Sequence, residues 1–390
     1  MHYRSGEHHN EPFDMQLTFV GDVMLGRMIG SKYAKQPYPV VAEELRLKAR
    51  EADYVIANLE SPVVIEAETE GDHLQFKGNP DVLDKLTWID AFSLSNNHIN
   101  DCGNLGMDET ISILENKGFE HNGLFKETYY PLCIERGGEK IAVVTITDMM
   151  NIPFAGGCKW QTLRVGEPRV MDILKKYHNG GYCVILYAHI GILFSRYPNP
   201  ITYDYLHQCV DAGADIIVTA HSHCLGCMET YNNVPIFHSL GDFVMDGNSF
   251  RRRRSGMLNL NIEGRKVTNW VIVPAEINQD YETVCPNEKV SKKMLKDFNS
   301  VSTKLAKHSE SYTDFFRWQY KKEMILHTGS TLSYLMTTRG VSGMLRMVFK
   351  RFEEVGRMFK WVAKDRSKDQ RDDDAIRADR KKFTDDDLFK

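Results

Sequence analysis

Five short apolar stretches of this 390-residue chain each run directly into a residue that can bind a metal ion. They are Val20-Gly21-Asp22, Ala57-Asn58-Leu59-Glu60, Leu94-Ser95-Asn96-Asn97-His98, Tyr187-Ala188-His189 and Ala220-His221-Ser222-His223. Short apolar runs bounded by turn residues are typical of buried strands, and open α/β sheets bind ligands at the carboxyl ends of their strands. We therefore expect these distant segments to end in one crevice.

The candidate ligands at these strand ends combine oxygen and nitrogen donors and include no thiolate. They are Asp22, Glu60, Asn97, His189, His221 and His223. This mixture suits Zn²⁺, Mn²⁺ or Fe²⁺ better than Ca²⁺, which prefers oxygen ligands alone. We expect one or two divalent ions here. The ligand types are compatible with each of these three metals.

Predicted strands and helices alternate through the first two thirds of the chain. Apolar runs predict strands at 17–20, 54–57, 91–94, 141–146, 184–187, 216–219 and 236–240, and helical patterns lie between them at 40–52, 81–88, 108–117 and 169–177. Such alternation is typical of an α/β fold in which helices cover the sheet.

The composition of the sequence changes after Pro274, where glycine becomes rare. Helical patterns follow at 289–307, 311–327 and 340–364, and the final segment is highly charged with few apolar residues, a composition that cannot bury a core. We predict a catalytic domain over 15–285, a helical appendage over 286–364 and a charged, disordered tail over 365–390.

The overall composition limits the classes of partner and compartment. With 42% hydrophobic residues the chain can bury a large core, and its net charge of −4 argues against a nucleic-acid partner, since such proteins present a basic face. No apolar run approaches the ~20 residues of a membrane span, and the polar N-terminal residues lack the order of a secretion signal. We therefore expect a cytoplasmic protein; the oligomeric state stays open.

Eight cysteines are spread along the chain, which fits reduced thiols better than a disulfide framework. Only Cys224 and Cys227 form a Cys-x-x-Cys pair, directly after His223. One such pair supplies half of a structural zinc site, and no thioredoxin-like context surrounds it. Two interpretations of the pair therefore stay open. The cysteines have a metal or redox role, or they are simply two small loop residues beside the site.

Residues 341–364 have the pattern of a basic amphipathic helix. Apolar residues recur at helical spacing, and six Lys or Arg residues flank them against two Glu residues. Such a helix can lie on an anionic membrane, or it can pack its apolar stripe onto the preceding domain. Peripheral membrane contact through 341–364 and intramolecular packing are therefore both hypotheses.

The arginines near the predicted site have two interpretations each. Arg27 can bind a substrate anion or pair with an internal carboxylate. The run from Arg251 to Arg254 is typical of a solvated surface, but it can also hold a phosphate or a polyanion. We expect the substrate to be an anionic small molecule or polymer.

Six segments between about residues 15 and 280 form a recognisable set. They are Gly21-Asp22-Val23-Met24-Leu25-Gly26-Arg27, Asn58-Leu59-Glu60-Ser61-Pro62, Phe76-Lys77-Gly78-Asn79-Pro80, Ser93-Leu94-Ser95-Asn96-Asn97-His98-Ile99-Asn100-Asp101-Cys102-Gly103, His221-Ser222-His223 and Ser239-Leu240-Gly241-Asp242-Phe243-Val244. In this order and spacing they resemble the CapA-type bacterial capsule-synthesis family, which is associated with poly-γ-glutamate production. That family is a branch of the calcineurin-like metallophosphoesterase superfamily.

The resemblance implies a four-layer α/β/β/α sandwich of two sheets flanked by helices, with metals at one edge. It implies that Asn97 is an amide metal ligand, that His98 is the acid and that Asp101 orients His98 by accepting from its ring nitrogen. Glu60 takes the position of a bridging carboxylate. The remaining ligands of the implied shell are Asp22, His189, His221 and His223.

Two positions depart from the related patterns. Classical metallophosphoesterases have Asp-x-His in the first motif, whereas this chain has Asp22-Val23-Met24, which removes one nitrogen ligand from the second metal position. His238 and Asp242 stand where the capsule pattern more often has Tyr and Asn.

Two classes of function fit these residues. The first is a metal-dependent hydrolase of a phosphoester in capsule or exopolymer metabolism. In it the metals and Arg27 neutralise developing charge, and His98 protonates the leaving oxygen. The second is a non-catalytic assembly factor that binds polyglutamate, a glycan or a partner. Metal-dependent attack on the amide or ester of a γ-glutamyl substrate is a further alternative.

Overall fold

The protein is described by a computed structural model that covers residues 14–69, 75–148, 150–151, 154, 158–247 and 249–365. Side chains are not described for residues 339 and 342–365. Two β-sheets and seven α-helices make up most of these residues.

The strands are numbered in chain order. They are β1 (Met15–Val23), β2 (Tyr54–Leu59), β3 (Ala91–Ser93), β4 (Glu120–Asn122), β5 (Leu132–Arg136), β6 (Glu139–Thr147), β7 (Cys183–His189), β8 (Ile216–Ala220), β9 (Leu225–Tyr231), β10 (Val234–Leu240), β11 (Asp242–Val244), β12 (Arg254–Glu263), β13 (Lys266–Ile277) and β14 (Thr283–Val284). The first sheet has the order β14-β13-β12-β1-β2-β3-β4, with β11 also paired to β1, and the second has the order β5-β6-β7-β8-β10-β9.

The helices follow the strands that they cover. They are α1 (Arg27–Lys35), α2 (Glu43–Ala49), α3 (Gly103–Asn116), α4 (Pro168–Asn179), α5 (Pro200–Asp211), α6 (Glu288–Lys307) and α7 (Tyr312–Asp365), the last of which is broken by non-helical backbone at Gly340. A short 3-10 helix, Pro80–Lys85, replaces the α-helix predicted at 81–88. Asn79 caps it, and the Leu86 N–H bonds the Leu83 carbonyl, which ends the turn after a few residues.

Alternating side chains on the strands build three successive hydrophobic layers. In β1, Phe19 points between the two sheets, whereas its neighbour Val20 points towards α1 and α2. In β7, Ile185 points between the sheets and Leu186 points towards α4 and α5. Because successive strand residues face opposite sides, both sheets bury both faces. The result is helices, sheet, sheet and helices, which confirms the predicted α/β four-layer sandwich.

Parallel pairing places the important strand ends at the same edge. Strands β1, β2, β3 and β4 are parallel neighbours in the first sheet, and β6, β7, β8 and β10 are parallel neighbours in the second. All seven predicted strands are present. The antiparallel hairpin of β12 and β13 was not among the sequence predictions.

The helices after residue 285 pack onto the sandwich, at least in part. Met294 and Phe298 of α6 enter the layer between the sheets, beside Phe237 and Trp270. The predicted C-terminal helical region is therefore confirmed, while the predicted domain limits stay a prediction. The tail prediction for 365–390 lies outside the described residues except for Asp365.

The membrane hypothesis for 341–364 stays a prediction, because the side chains of nearly all these residues lie outside the description. Within the described part of the chain, no helix has both the length and the apolar character needed to span a bilayer.

Replacement of Gly21 by Ala should destabilise the fold. A Cβ atom at Gly21 would lie 1.9 Å from the carbonyl oxygen of Gly241, a backbone atom that cannot move alone. We expect the free energy of unfolding to fall by about 3 kcal/mol, the upper end for an overpacked core, in urea denaturation. Gly329→Ala is the control, since its Cβ meets open space on α7. Equal stability of the two variants would contradict this packing.

Candidate metal centre

Residues from both sheets meet at one edge of the sandwich. Asp22 ends β1 opposite Asn58 of β2 and Asp242 of β11, while His189 ends β7 opposite Ala220 of β8. The predicted ligands Asp22, Glu60, Asn97, His189, His221 and His223 are all buried there. The expected crevice therefore forms between the strand ends of two sheets.

A first cluster consists of Glu60, His189 and His221, which offer ligand atoms within 4.8 Å of one another. His189 Nε2 lies 3.0 Å from His221 Nδ1 and 3.5 Å from Glu60 Oε1. Asn97 Oδ1 lies 2.8 Å from the same His189 nitrogen. Four donor groups thus converge on one small volume.

A second cluster lies beside the first and consists of Asp22, His223 and Asp242. His223 Nδ1 is 2.6 Å from Asp242 Oδ1 and 3.7 Å from Asp22 Oδ2. The two clusters interlock, because Glu60 Oε1 is 3.8 Å from His223 Nε2 and Asp22 Oδ1 is 3.6 Å from His189 Nδ1. Met24 offers no nitrogen donor to this cluster, to which Asp242 contributes a second carboxylate.

The backbone is strained where two of the histidines enter the site. His221 has φ = 97° and His223 has φ = 57°, a left-handed region that costs about 1–3 kcal/mol for a residue other than glycine. The His221 N–H donates to Asp22 Oδ2 at 3.2 Å, which helps to hold this conformation. Such strain persists only where surrounding structure imposes it, and it clusters at functional sites.

Burial and neighbouring charges set the pKa values of these groups in opposite directions. Burial lowers the pKa of His221 well below its ordinary value, and the nearby His189 and His223 lower it further. Burial also lowers the pKa of His189, but its contacts with Asp22 and Glu60 outweigh this and raise it to about 10. The two carboxylates therefore favour positive charge at the position of His189.

Burial and neighbouring charge also oppose each other at Asp22 and at His223. Burial raises the pKa of Asp22, but the hydrogen bond and charge of His189 outweigh it, so that the pKa lies below its ordinary value. Burial lowers the pKa of His223, and the charge of Asp242 reverses this, giving a raised pKa. A divalent ion can replace protons at these positions, since metal binding requires deprotonated ligands and releases protons.

Glu60 provides the clearest evidence that the residues fit a cation. Its side chain is fully buried, and neither carboxylate oxygen has a hydrogen-bond partner. A buried charge is costly unless it is paired or binds a metal. Carboxylate, amide and imidazole donors without thiolate suit Mn²⁺, Zn²⁺ or Fe²⁺.

His98 and Asp101 form a buried pair next to the clusters. His98 Nδ1 lies 2.6 Å from Asp101 Oδ2, which also accepts from the Phe76 N–H. The Phe76 ring stacks on His98 with centroids 3.8 Å apart. Asn151 connects the pair to the candidate ligand Asn97, since it contacts both His98 and the side chain of Asn97.

Arg27 lies at the edge of this site and is ion-paired. Its Nη2 is 3.0 Å from Asp246 Oδ1, and its guanidinium lies 5.3 Å from the centre of the Phe76 ring. The side chain remains 42% exposed. Arg27 thus pairs with an internal carboxylate while its guanidinium faces solvent over Phe76, and its catalytic role stays a prediction.

The arginine run after β11 fits neither sequence interpretation, because internal partners hold all four side chains. Arg251 pairs with Glu323, Arg252 with Asp242 and Arg254 with Glu276, and Arg253 donates to the carbonyls of Gly247 and Ile277. The run is therefore a structural element and not a solvated surface or an available anion site.

Cys224 and Cys227 are free thiols buried in the core. Burial raises the pKa of Cys224 to about 11 and that of Cys227 well above its ordinary value. Metal binding and redox exchange both require the thiolate, so the environment disfavours these roles. His238 likewise lies outside both clusters and bonds Glu229 at 2.9 Å.

Sequence reasoning missed three residues that organise the site. Asn58 donates to Asp22 at 2.8 Å and contacts His189 at 3.1 Å. Asp242 belongs to the second cluster, and Arg252 holds it at 3.1 Å. Asp242 follows the apolar strand β10 after one glycine, so the strand-end rule could have found it, whereas Arg252 carries no such signal.

The two-sheet sandwich carries carboxylates and imidazoles at its strand ends, which is the arrangement that the motif resemblance implied. The family model "Bacterial capsule synthesis protein PGA_cap" matches residues 16–247. The chain belongs to this family, which confirms the resemblance seen in the motifs.

Two relatives carry capsule-related names. "PGA biosynthesis protein CapA" of Bacillus subtilis (strain 168) is 27% identical over 278 residues, covering 68% of this chain and 72% of that protein. "Capsule biosynthesis protein CapA" of Bacillus anthracis is 26% identical over 286 residues, covering 70% and 69%.

Among solved structures, the 5'-nucleotidase from Candida albicans SC5314 is 10% identical, and the match covers 75% of this chain and 59% of that chain. Its TM-score is 0.40. That value is too low to support a conclusion about this chain.

Replacement of Glu60 by Gln should remove bound metal. The amide keeps the size of the side chain but lacks the charge that a divalent ion requires from this position. After incubation with Mn²⁺ and gel filtration, we expect elemental mass spectrometry to show the loss of at least one ion per chain relative to wild type.

The matched control for this prediction is Glu229→Gln. Glu229 is also a buried carboxylate among histidines, but it lies outside both clusters. It should retain the wild-type metal content. Wild-type metal content in Glu60→Gln would contradict the placement of an ion at Glu60.

Proposed function

We propose that this protein is a metal-dependent hydrolase that cleaves a phosphoester in capsule or exopolymer metabolism. The observation that carries the proposal is the juxtaposition of two ligand clusters with the His98–Asp101 pair, joined through Asn151. The names of the relatives support a role in capsule metabolism. The chemistry of the candidate ligands supports metal-dependent hydrolysis.

The ions that we propose are Mn²⁺, Zn²⁺ or Fe²⁺, bound by Glu60, His189, His221 and Asn97 in one position and by Asp22, His223 and Asp242 in the other. Such ions polarise phosphoryl oxygens and lower the pKa of water, which supplies a nucleophile at neutral pH. The protein itself supplies orientation and proton transfer.

His98 is proposed to protonate the oxygen of the leaving group. Nδ1 donates to Asp101, so the doubly protonated ring can release the proton on Nε2 to the leaving oxygen and return to a neutral ring that keeps its Nδ1 proton. Stacking on Phe76 holds the plane of the ring. A proton-transfer group that is held in this way contributes typically 10²- to 10⁴-fold in rate.

Arg27 is proposed to bind the anionic substrate at the entrance. Its half-exposed guanidinium lies over the Phe76 ring, which stacks on His98, and its pairing with Asp246 holds it there. The four arginines from Arg251 to Arg254 do not take this role, because each is occupied by an internal partner. The substrate is thus expected to be a small anion or the anionic end of a polymer.

Loss of His98 should reduce turnover most for substrates with poor leaving groups. In the presence of Mn²⁺ or Zn²⁺, we expect His98→Ala to lower kcat/KM by about 10²- to 10⁴-fold with phenyl phosphate and by less with p-nitrophenyl phosphate. The reason is that p-nitrophenolate leaves without full protonation. Steady-state kinetics with both esters measures the difference.

His178→Ala is the matched control, because His178 also pairs with an aspartate, Asp215 at 3.3 Å, but lies on α4 outside the site. It should keep wild-type rates, and both variants should keep bound metal. An equal decrease of kcat/KM with both esters in His98→Ala would show that His98 is not the acid. Stoichiometric metal without turnover of any phosphoester would favour the assembly factor or the chemistry at a γ-glutamyl carbonyl.

A further inference from the structure

We propose that Glu323 on helix α7 is a positioning residue that holds the second ligand cluster in place. The inference rests on the proposed metal centre, and it assigns a role to a helix outside residues 16–247 that match the family model. Glu323 does not touch a metal ligand. It acts through two loops that flank His223.

Glu323 joins two arginines from different loops. Its carboxylate accepts from Arg196 Nε and Nη2, each at 2.9 Å, and from Arg251 Nη2, while its backbone oxygen accepts from Arg251 Nη1 at 3.1 Å. The Glu323 side chain is only 1% exposed. Because one buried carboxylate balances two cations, its removal leaves both arginines without their common partner.

Residues 245–247 and 249–253 form the first loop and connect Glu323 to the proposed ligand Asp242. Arg251 is fixed through its side chain by Glu323 and through its N–H by Ser330 Oγ at 3.2 Å. The next residue, Arg252, donates to Asp242 Oδ2 from Nη2 at 3.1 Å and from Nε at 3.2 Å. Asp242 in turn contacts His223 Nδ1 at 2.6 Å.

The second loop, residues 190–199, covers the other side of His223. The Phe194 ring stacks on His327 of α7 with centroids 4.0 Å apart, and it lies 6.3 Å from the His223 ring. Phe194 has φ = 66°, a strained value for an aromatic residue. Its N–H donates at 2.8 Å to the carbonyl of Ser222, which lies between two ligands.

One face of α7 makes all of these contacts. Glu323, His327, Ser330 and Tyr334 follow one another at helical spacing, and Tyr334 lies 4.7 Å below the guanidinium of Arg253. The contacts end before the break at Gly340. This part of α7 is therefore proposed to belong to the metal centre instead of being a separate appendage.

The test compares Mn²⁺ binding by full-length wild type and Glu323→Gln in equilibrium dialysis with elemental mass spectrometry. Groups that orient ligands typically contribute 10- to 100-fold to metal affinity. We expect the most weakly bound Mn²⁺ to lose affinity by about this factor in Glu323→Gln. Glu323→Asp, which keeps the charge, should fall between the two.

Phe298→Leu is the control for a merely structural effect. Phe298 lies on α6, is buried between the sheets and packs against Trp270, and it belongs to neither of the two loops. It should lower the melting temperature while keeping the Mn²⁺ affinity within about two-fold of wild type. Ser330→Ala removes the acceptor of the Arg251 N–H and is a milder change at the same loop. It should also weaken Mn²⁺ binding, and it replaces Glu323→Gln in the test if that variant does not fold.

The outcomes separate this inference from the proposed function. Unchanged Mn²⁺ affinity in Glu323→Gln, or in Ser330→Ala if that variant is used, would overturn the positioning role. Weakened Mn²⁺ binding with no phosphoesterase activity in any variant would support the inference and reject the hydrolase. A wild-type protein that binds neither Mn²⁺ nor Zn²⁺ would overturn both.

Discussion

The buried carboxylate of Glu60 is the constraint on which the organisation of the site depends. It lies at the end of β2 with no hydrogen-bond partner, and the cost of removing such a charge from water is several kcal/mol unless opposite charge surrounds it. His189 and His223 approach it to 3.5 Å and 3.8 Å. A cation in the same place would balance the charge of Glu60.

The two-sheet architecture is what makes this concentration of ligands possible. A single sheet would place strand ends in a row, whereas two packed sheets let β1 and β2 face β7 and β8 across the layer between them. Tyr187 connects the sheets near the site, since its hydroxyl donates to the Val20 carbonyl at 2.9 Å and its ring meets Phe19 edge to face. The strained backbone at His221 and His223 then directs both imidazoles inward.

Internal pairing of charges separates the structural cations from those available to a substrate. Arg252 forms an ion pair with Asp242, and Arg196 and Arg251 both form ion pairs with Glu323. Arg27 keeps an exposed guanidinium although it pairs with Asp246. The buried arginines therefore pair within the loops around the candidate metal centre.

Hydrophobic periodicity and polar residues at strand ends are local signals, and from them the sequence predicted the α/β class and the candidate ligands Asp22, Glu60, Asn97, His189, His221 and His223 as a set. Tertiary packing alone brings Asp242 to His223, pairs Arg252 with Asp242, joins Arg196 and Arg251 through Glu323, and makes the arginine run internal. Those contacts link residues up to 127 positions apart, as between Arg196 and Glu323. They depend on how helix α7 and two loops pack, and no local pattern of residues encodes that packing.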